Sequence, residues 1–236
     1  MMHQKRISLS ILRKNELRVL LLVCALLLMT GQNAWARKDK QPEQPDTTAF
    51  FNGFAVSFDL VGLLQHELGS YGQYEGALRI NLKDRWFPVV EVGWGMADAM
   101  DDATKMSYQT KAPYGRIGCD FNLMKNKHDI NRIYGGLRYA YTSYKFDVQG
   151  PQVTDPVWEE DIPFGASDVE ANYHWMEFVA GVDAHIWGPV RLGWTVRYKR
   201  RLFHDDGYLG NTWYVPGYGK QGNARLGGTF NVTLEF

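Results

Sequence analysis

Residues 223–236 alternate strictly in polarity. Ala224, Leu226, Gly228, Phe230, Val232, Leu234 and Phe236 fall on one side, and Arg225, Gly227, Thr229, Asn231, Thr233 and Glu235 on the other. A period of two marks an extended strand with one apolar face, and it excludes a helix, whose faces repeat about every 3.6 residues. The same rhythm predicts strands over 53–64, 73–83, 87–96, 113–124, 132–148, 173–186 and 190–202. In the second of these, Tyr74, Gly76, Leu78, Ile80 and Leu82 oppose Gln73, Glu75, Ala77, Arg79, Asn81 and Lys83. In the seventh, Val190, Leu192, Trp194, Val196 and Tyr198 oppose Arg191, Gly193, Thr195, Arg197 and Lys199.

The connections run 8, 3, 16, 7, 24, 3 and 20 residues in chain order. Long and short alternate, which predicts antiparallel hairpins with tight turns at one end and long loops, 97–112, 149–172 and 203–222, at the other. An even number of strands then returns both ends of the chain to the short-turn side. The one long apolar run, Val19 to Met29, has 11 residues, against the roughly 20 that a spanning helix needs. It follows a basic stretch (Lys5, Arg6, Arg13, Lys14, Arg18) and precedes Ala34-Trp35-Ala36, the pattern of a cleaved secretory signal over 1–36. Residues 37–52 are polar and proline-containing at first and read as a flexible leader. If the remainder crosses a membrane it must do so with strands, because lipid leaves backbone polar groups unsatisfied unless the sheet closes. The expected fold is therefore all-β, a single eight-stranded antiparallel up-and-down barrel over 53–236.

Without residues 1–36 the charge balance is 21 basic to 25 acidic, net −4, which gives no reason to expect a nucleic-acid partner. Cys119 is the one cysteine left, so an intramolecular disulfide is excluded.

The apolar faces carry aromatics near both ends, Tyr74, Trp94, Tyr139, Tyr141 and Tyr198 toward the loops and Phe54, Phe121 and Phe236 toward the turns. Such rings mark the two interfaces of a membrane barrel, so the apolar face is placed outward. The inward face then carries Asp59, Arg79, Glu91, Arg116, Asp120, Arg138, Glu177, Asp183, Arg191 and Arg197 in near charge balance, together with Glu75, Lys83, Arg132, Lys199, Arg225 and Glu235. A common register around Trp187-Gly188-Pro189 would set Glu177 against Arg197 and Asp183 against Arg191. Pairing of Lys83 with Phe87 would set Arg79 against Glu91. An eight-stranded lumen is just wide enough for side chains to fill, so these ions are expected to form a salt-bridged plug.

The alternation through 223–236, ending on Phe236, resembles the C-terminal strand of outer-membrane β-barrel proteins. Over 53–236 the architecture is similar to the eight-stranded outer-membrane protein A type, without its peptidoglycan-binding domain, and equally to an uncharacterised family of small outer-membrane barrels. The resemblance implies the outer membrane of a Gram-negative bacterium, both termini periplasmic, and contact with outer-membrane lipid and lipopolysaccharide. It also implies delivery by the barrel-insertion machinery, with Phe230, Val232, Leu234 and Phe236 as the insertion signal.

The best functional reading is a non-enzymatic structural or interaction protein, accessory to an envelope or secretion assembly, that works through its long loops. Trp158, Phe164, Trp213 and Tyr214 are the aromatic candidates for loop contacts, with packing of loop on loop as the competing reading. A narrow channel for small solutes or ions is a second reading. A lipid A-modifying enzyme is a third, for which His174 with Ser167, Asp168 and Glu170 would be the residues to examine. The acidic clusters at Asp98, Asp101 and Asp102, at Glu159, Glu160 and Asp161, and at Asp205 and Asp206 lack the spacing of a calcium loop. No catalytic residue, metal site or cofactor is expected.

Overall fold

A computed structural model describes residues 48–154, 161–162 and 164–236. The expected signal segment, residues 37–47 of the leader, and Trp158, Glu159 and Glu160 lie outside the described residues. Eight strands build the fold: β1 (Phe51–Asp59), β2 (Tyr71–Leu82), β3 (Trp86–Met100), β4 (Ser107–Asn122), β5 (Arg132–Gln149), β6 (Gly165–Trp187), β7 (Val190–Asp205) and β8 (Ala224–Glu235). Each pairs antiparallel with its sequence neighbours, and β1 pairs with β8 from Ala55↔Glu235 to Asp59↔Asn231, so the sheet closes into a barrel. Closure removes the edges that an open sheet would expose.

The outward side chains of the lower barrel are apolar. Phe54, Tyr74, Trp94, Phe121, Tyr139, Tyr141, Tyr198 and Phe236 are all exposed, with Phe58, Leu78, Val90, Val92, Ile117, Ile133, Leu137, Phe178, Val182, Trp194 and Val196 between them. Phe236 stacks on Phe54 at 5.5 Å and Phe230 lies 4.5 Å from Trp194. The inward side chains at the same height are charged.

Above that belt the polarity reverses. Inward positions become Tyr108, Ala112, Tyr114, Ala140, Tyr144, Phe146, Val169, Ala171, Tyr173 and Trp175, all buried. Outward positions become Gln109, Lys111, Ser143, Lys145, Asp168 and Glu170, all exposed. This part of the wall is built like a water-soluble barrel. The strands accordingly run past the limits that a lipid-facing alternation predicts. Residues 97–100 and 107–112, expected in a loop, belong to β3 and β4, and 165–172 belong to β6. The β3–β4 loop shrinks to 101–106, so connection length no longer alternates cleanly.

At the start of the chain a strand over 53–64 is expected, but the strand ends at Asp59 and α1 (Leu60–Leu68) follows. Asp59 is the cause. Its carboxylate accepts from Val61 N at 3.0 Å and Gly62 N at 3.1 Å, capping the helix, and also from Phe230 N on β8 at 3.3 Å. Without a side chain at position 62, α1 packs directly on the Gln73 carbonyl of β2.

Asp59→Ala removes a helix cap and orphans the Phe230 N–H, which together should cost about 1–3 kcal/mol. Asp59→Asn, which keeps an acceptor, should lose less. Urea unfolding of the folded barrel in detergent checks both, and equal loss in the two variants would count against the capping role.

Candidate functional site

The lower interior is one connected ionic network. At its centre Glu75, Glu91 and Glu177, from β2, β3 and β6, meet Arg116, Arg138 and Arg197, from β4, β5 and β7. Arg116 binds Glu91 at 3.0 Å, Glu177 at 2.9 Å and also Glu75. Arg197 reaches Glu75 at 3.0 Å, Glu91 at 2.7 Å and Glu177 at 3.4 Å. Arg138 joins Glu91 at 3.1 Å to Asp120 at 3.0 Å. Below it, Arg79 bridges Asp120 at 3.3 Å and Asp183 at 2.5 Å and lies 4.6 Å from the Tyr134 ring. At the turn end Glu235 takes Arg132 at 2.6 Å and Arg191.

Burial of so many charges is tolerable because Arg79, Arg116, Arg138 and Arg197 each have two or three carboxylate partners. The space left among these side chains is about 10 Å³, at the limit for a single water.

The ten charges expected inward from parity all lie in the lumen, but three expected partnerships are corrected. Glu177 faces Lys199 and Asp183 faces Gly193 across β6 and β7. Glu177 keeps only a diagonal 3.4 Å contact with Arg197, while Asp183 binds Arg79 and Arg191 binds Glu235. The cause is the hairpin: Trp187 pairs with Val190, and beyond the irregularity between His185 and Trp187 the strands run in the register His185↔Arg191, two residues from the expected one. Likewise Ala77, rather than Arg79, faces Glu91. The turn there closes on Leu82 and Arg85, with Lys83 and Asp84 both at positive φ, the primed geometry that suits hairpin twist. Lys83 therefore sits in the turn and not on the inward face.

Over the ionic layer lies an aromatic one, sealed by the loop 206–223. Tyr214, Val215 and Tyr218 are 0–2% exposed. Tyr108 Oη donates to Tyr214 O at 2.7 Å, and Tyr214 Oη donates to Gly72 O at 3.3 Å. The carbonyl of Gly217 accepts from Arg116 at 2.8 Å and Lys199 at 2.6 Å, so the loop tip rests on top of the ionic network. Gly217 has φ +78°, and a Cβ there would strike the Tyr114 ring.

Tyr214 is thus a buried cap and no contact residue. Trp213 is half-buried against Tyr71 and Tyr108, and Phe164 is exposed. The inward strand residues above the belt are not marked by the sequence pattern, because there the inward parity becomes apolar, the character that the outward parity has below.

His174 donates to or accepts from Tyr139 Oη at 2.7 Å and packs 4.5 Å from the Tyr141 ring. Ser167 lies seven residues away along the same strand, roughly 20 Å at extended spacing, so the structure does not bring the two together. Among the described residues, no three His, Cys, Asp or Glu side chains converge as metal ligands.

Arg116→Met should lower the unfolding midpoint sharply, since removing one partner of a buried ion cluster costs roughly 3–5 kcal/mol. Adding Glu75→Gln should recover part of that loss, measured by urea unfolding of the folded barrel.

Asp84, in the β2–β3 turn, gives a pH test. Burial opposes its ionisation. Hydrogen bonds from Asn81, His128 and Asn52 and the charge of Arg132 outweigh it and hold the carboxyl below the ordinary carboxylate range. A folded pKa below the unfolded one stabilises above pH about 4 and is lost as pH falls through the folded value. Asp84→Asn should therefore be less stable than wild type at pH 7, and the gap should close on acidification.

Three solved structures are similar to this chain. Neisserial surface protein A is 12% identical, with a TM-score of 0.42, covering 79% of this chain and 99% of its own. A major outer membrane protein from Thermus thermophilus is 15% identical, with a TM-score of 0.44, covering 78% and 98%. Ail, the attachment invasion locus protein of Yersinia pestis, crystallised with the heparin analogue sucrose octasulfate, is 10% identical, with a TM-score of 0.36, covering 78% and 94%. No curated protein matches the chain significantly. A family model described as Domain of unknown function (DUF6048) matches residues 17–236, and the chain, a small eight-stranded antiparallel barrel, belongs to that family.

Proposed function

We propose that this protein is a non-enzymatic barrel of the Gram-negative outer membrane, closed to solute, with its turn end in the periplasm and its working surface at the loop end. The observation that carries the reading is the reversal of wall polarity at one height. Below it, apolar and aromatic side chains face outward around a charged lumen. Above it, polar side chains face outward around an aromatic one. A wall of that kind suits lipid below the reversal and water above it.

The closed interior opposes the channel reading, since a solute path would need to pass both the cap residues Tyr214–Tyr218 and the ionic layer beneath them. The lipid-modifying reading loses its base, because His174 is engaged by two tyrosines rather than by a serine. The loop end offers Phe164 and Tyr208, both exposed, as contact points for an envelope or secretion partner. Crosslinking in intact cells from cysteines placed at 164 and 208 would capture it.

The protein should fractionate with outer membranes and migrate faster on a gel unheated than heated. Recovery in the soluble periplasm without that shift would defeat the reading. Wild type should pass no steady ionic current in a planar bilayer. Deleting 212–221 should leave it non-conducting because the ionic layer remains, and only that deletion combined with Arg116→Met should open a path. Steady current through wild type would favour the channel.

A further inference from the structure

The barrel wall is incomplete at the loop end. β1 makes its last pairings at Phe58↔Gly76 and Asp59↔Asn231, whereas β2 continues to Tyr71 and β8 begins at Ala224. Between Tyr71–Glu75 and Ala224–Phe230 no strand intervenes, and α1 lies across the gap, packed on both. Behind it is a cavity of about 400 Å³.

Five cations line this cavity and no carboxylate does: Arg116, Arg197, Lys199, Lys220 and Arg225. Arg116 and Arg197 are neutralised by the glutamates of the ionic layer. The other three form no ion pair among the described residues. Lys199 is 7% exposed and donates only to the carbonyls of Gly217 and Tyr218. Lys220 lies over the rings of Tyr71 and Trp213 at 5.7 and 5.1 Å. Arg225 donates to the carbonyls of Lys220 and Gln221. Lys199 has Glu177 opposite it across β6 and β7, but Lys220 and Arg225 have only carbonyl and ring contacts, so the cavity carries a surplus of positive charge that suits an anion.

Its height says which anion. Leu226 pairs with Tyr198 and Tyr74 with Trp94, so the gap opens level with the loop-side aromatic belt, where lipid headgroups lie. Beside it α1 exposes Leu63 and Leu64, an apolar surface fit for acyl chains.

We propose that this lateral cavity binds the phosphate-bearing headgroup of a lipid from the leaflet on the loop side, with Lys199, Lys220 and Arg225 as its ligands and α1 against the chains. The proposal rests on the membrane reading above.

The test uses the full chain, folded in zwitterionic detergent and checked by its heat-dependent gel shift. Short-chain phosphatidic acid, short-chain phosphatidylcholine and inorganic phosphate are titrated separately and followed by native mass spectrometry. Phosphatidic acid should bind one per barrel, more tightly than either of the others. Lys220→Ala with Arg225→Ala, both outside the ionic layer, should weaken it about a hundredfold, roughly tenfold for each charge-assisted contact.

Equal binding of phosphatidylcholine, or of inorganic phosphate, would overturn the proposal, the second by showing a free-anion site. So would a folded double variant that binds as wild type does. A chain with no gel shift would instead defeat the membrane reading on which the proposal rests.

Discussion

The cluster of Glu75, Glu91 and Glu177 with Arg116, Arg138 and Arg197 is the constraint on which the rest of the molecule depends. Its acids come from β2, β3 and β6 and its bases from β4, β5 and β7, so most of its bonds cross the lumen rather than join adjacent strands. Arg197 on β7 reaches Glu91 on β3, and Arg116 on β4 reaches Glu177 on β6. Cross-lumen bonds hold opposite walls at a fixed separation, which backbone pairing between neighbours alone does not do. Burying ions is costly, and a paired set of this kind is often no more stable than an apolar core. Its contribution is specificity. Any register that moved one strand by a single residue would turn its charges to the apolar outer face.

The same cluster sets the floor for what lies above. Arg116 and Lys199 end on the carbonyl of Gly217, so the cap loop is held from below by the ions and from the sides by Tyr108 and Tyr114. An aromatic layer needs apolar surroundings, and it finds them only where the outer surface is no longer apolar and the polar residues are turned outward. The interior thus changes from ionic to aromatic near the height at which the exterior changes from apolar to polar. One chain with one unbroken period of two serves both environments by exchanging which parity is greasy.

That exchange explains what is legible in the amino-acid sequence. Parity is a local property, and it is enough to carry the charges from Asp59 to Arg197 to the lumen. Partnership is set by turns, and the expected partners differ from the observed ones by two residues in both hairpins. A slip of two keeps each side chain on its face while changing its neighbour, so the faces give no warning. The positive φ of Lys83 and Asp84 and the irregularity near Ile186 are turn properties that no glycine at those positions advertises. The upper strands are hidden for a different reason. Thr110, Ala112, Tyr144 and Phe146 do alternate with polar residues, but in the sense opposite to the strands below, so a pattern defined by lipid-facing strands stops where the sense flips. The helix after Asp59 is concealed because Leu60, Val61, Leu63 and Leu64 suit a buried strand as well as an apolar helix, and only the acceptor at Asp59 tips the balance.

The gap in the wall follows from these rules. β1 has nine residues and β6 has twenty-three, so β1 cannot flank the full height of its neighbours. Unpaired strand edges in an apolar surface leave N–H and C=O groups unsatisfied, whereas a helix satisfies its own. Replacing the missing length of strand with α1 therefore covers the edges of β2 and β8 with a backbone that makes no demand on them. A helix is a poor filler for a slot shaped for a strand, and the mismatch leaves a cavity. The inward parity of β7 and β8 continues past the point where β1 stops, carrying Lys199 and Arg225 to that height, while Glu75 and Glu177 are engaged by the arginines of the central cluster. A cationic recess level with the loop-side aromatic belt is thus the consequence of ending one strand early in a barrel whose other strands keep their alternation.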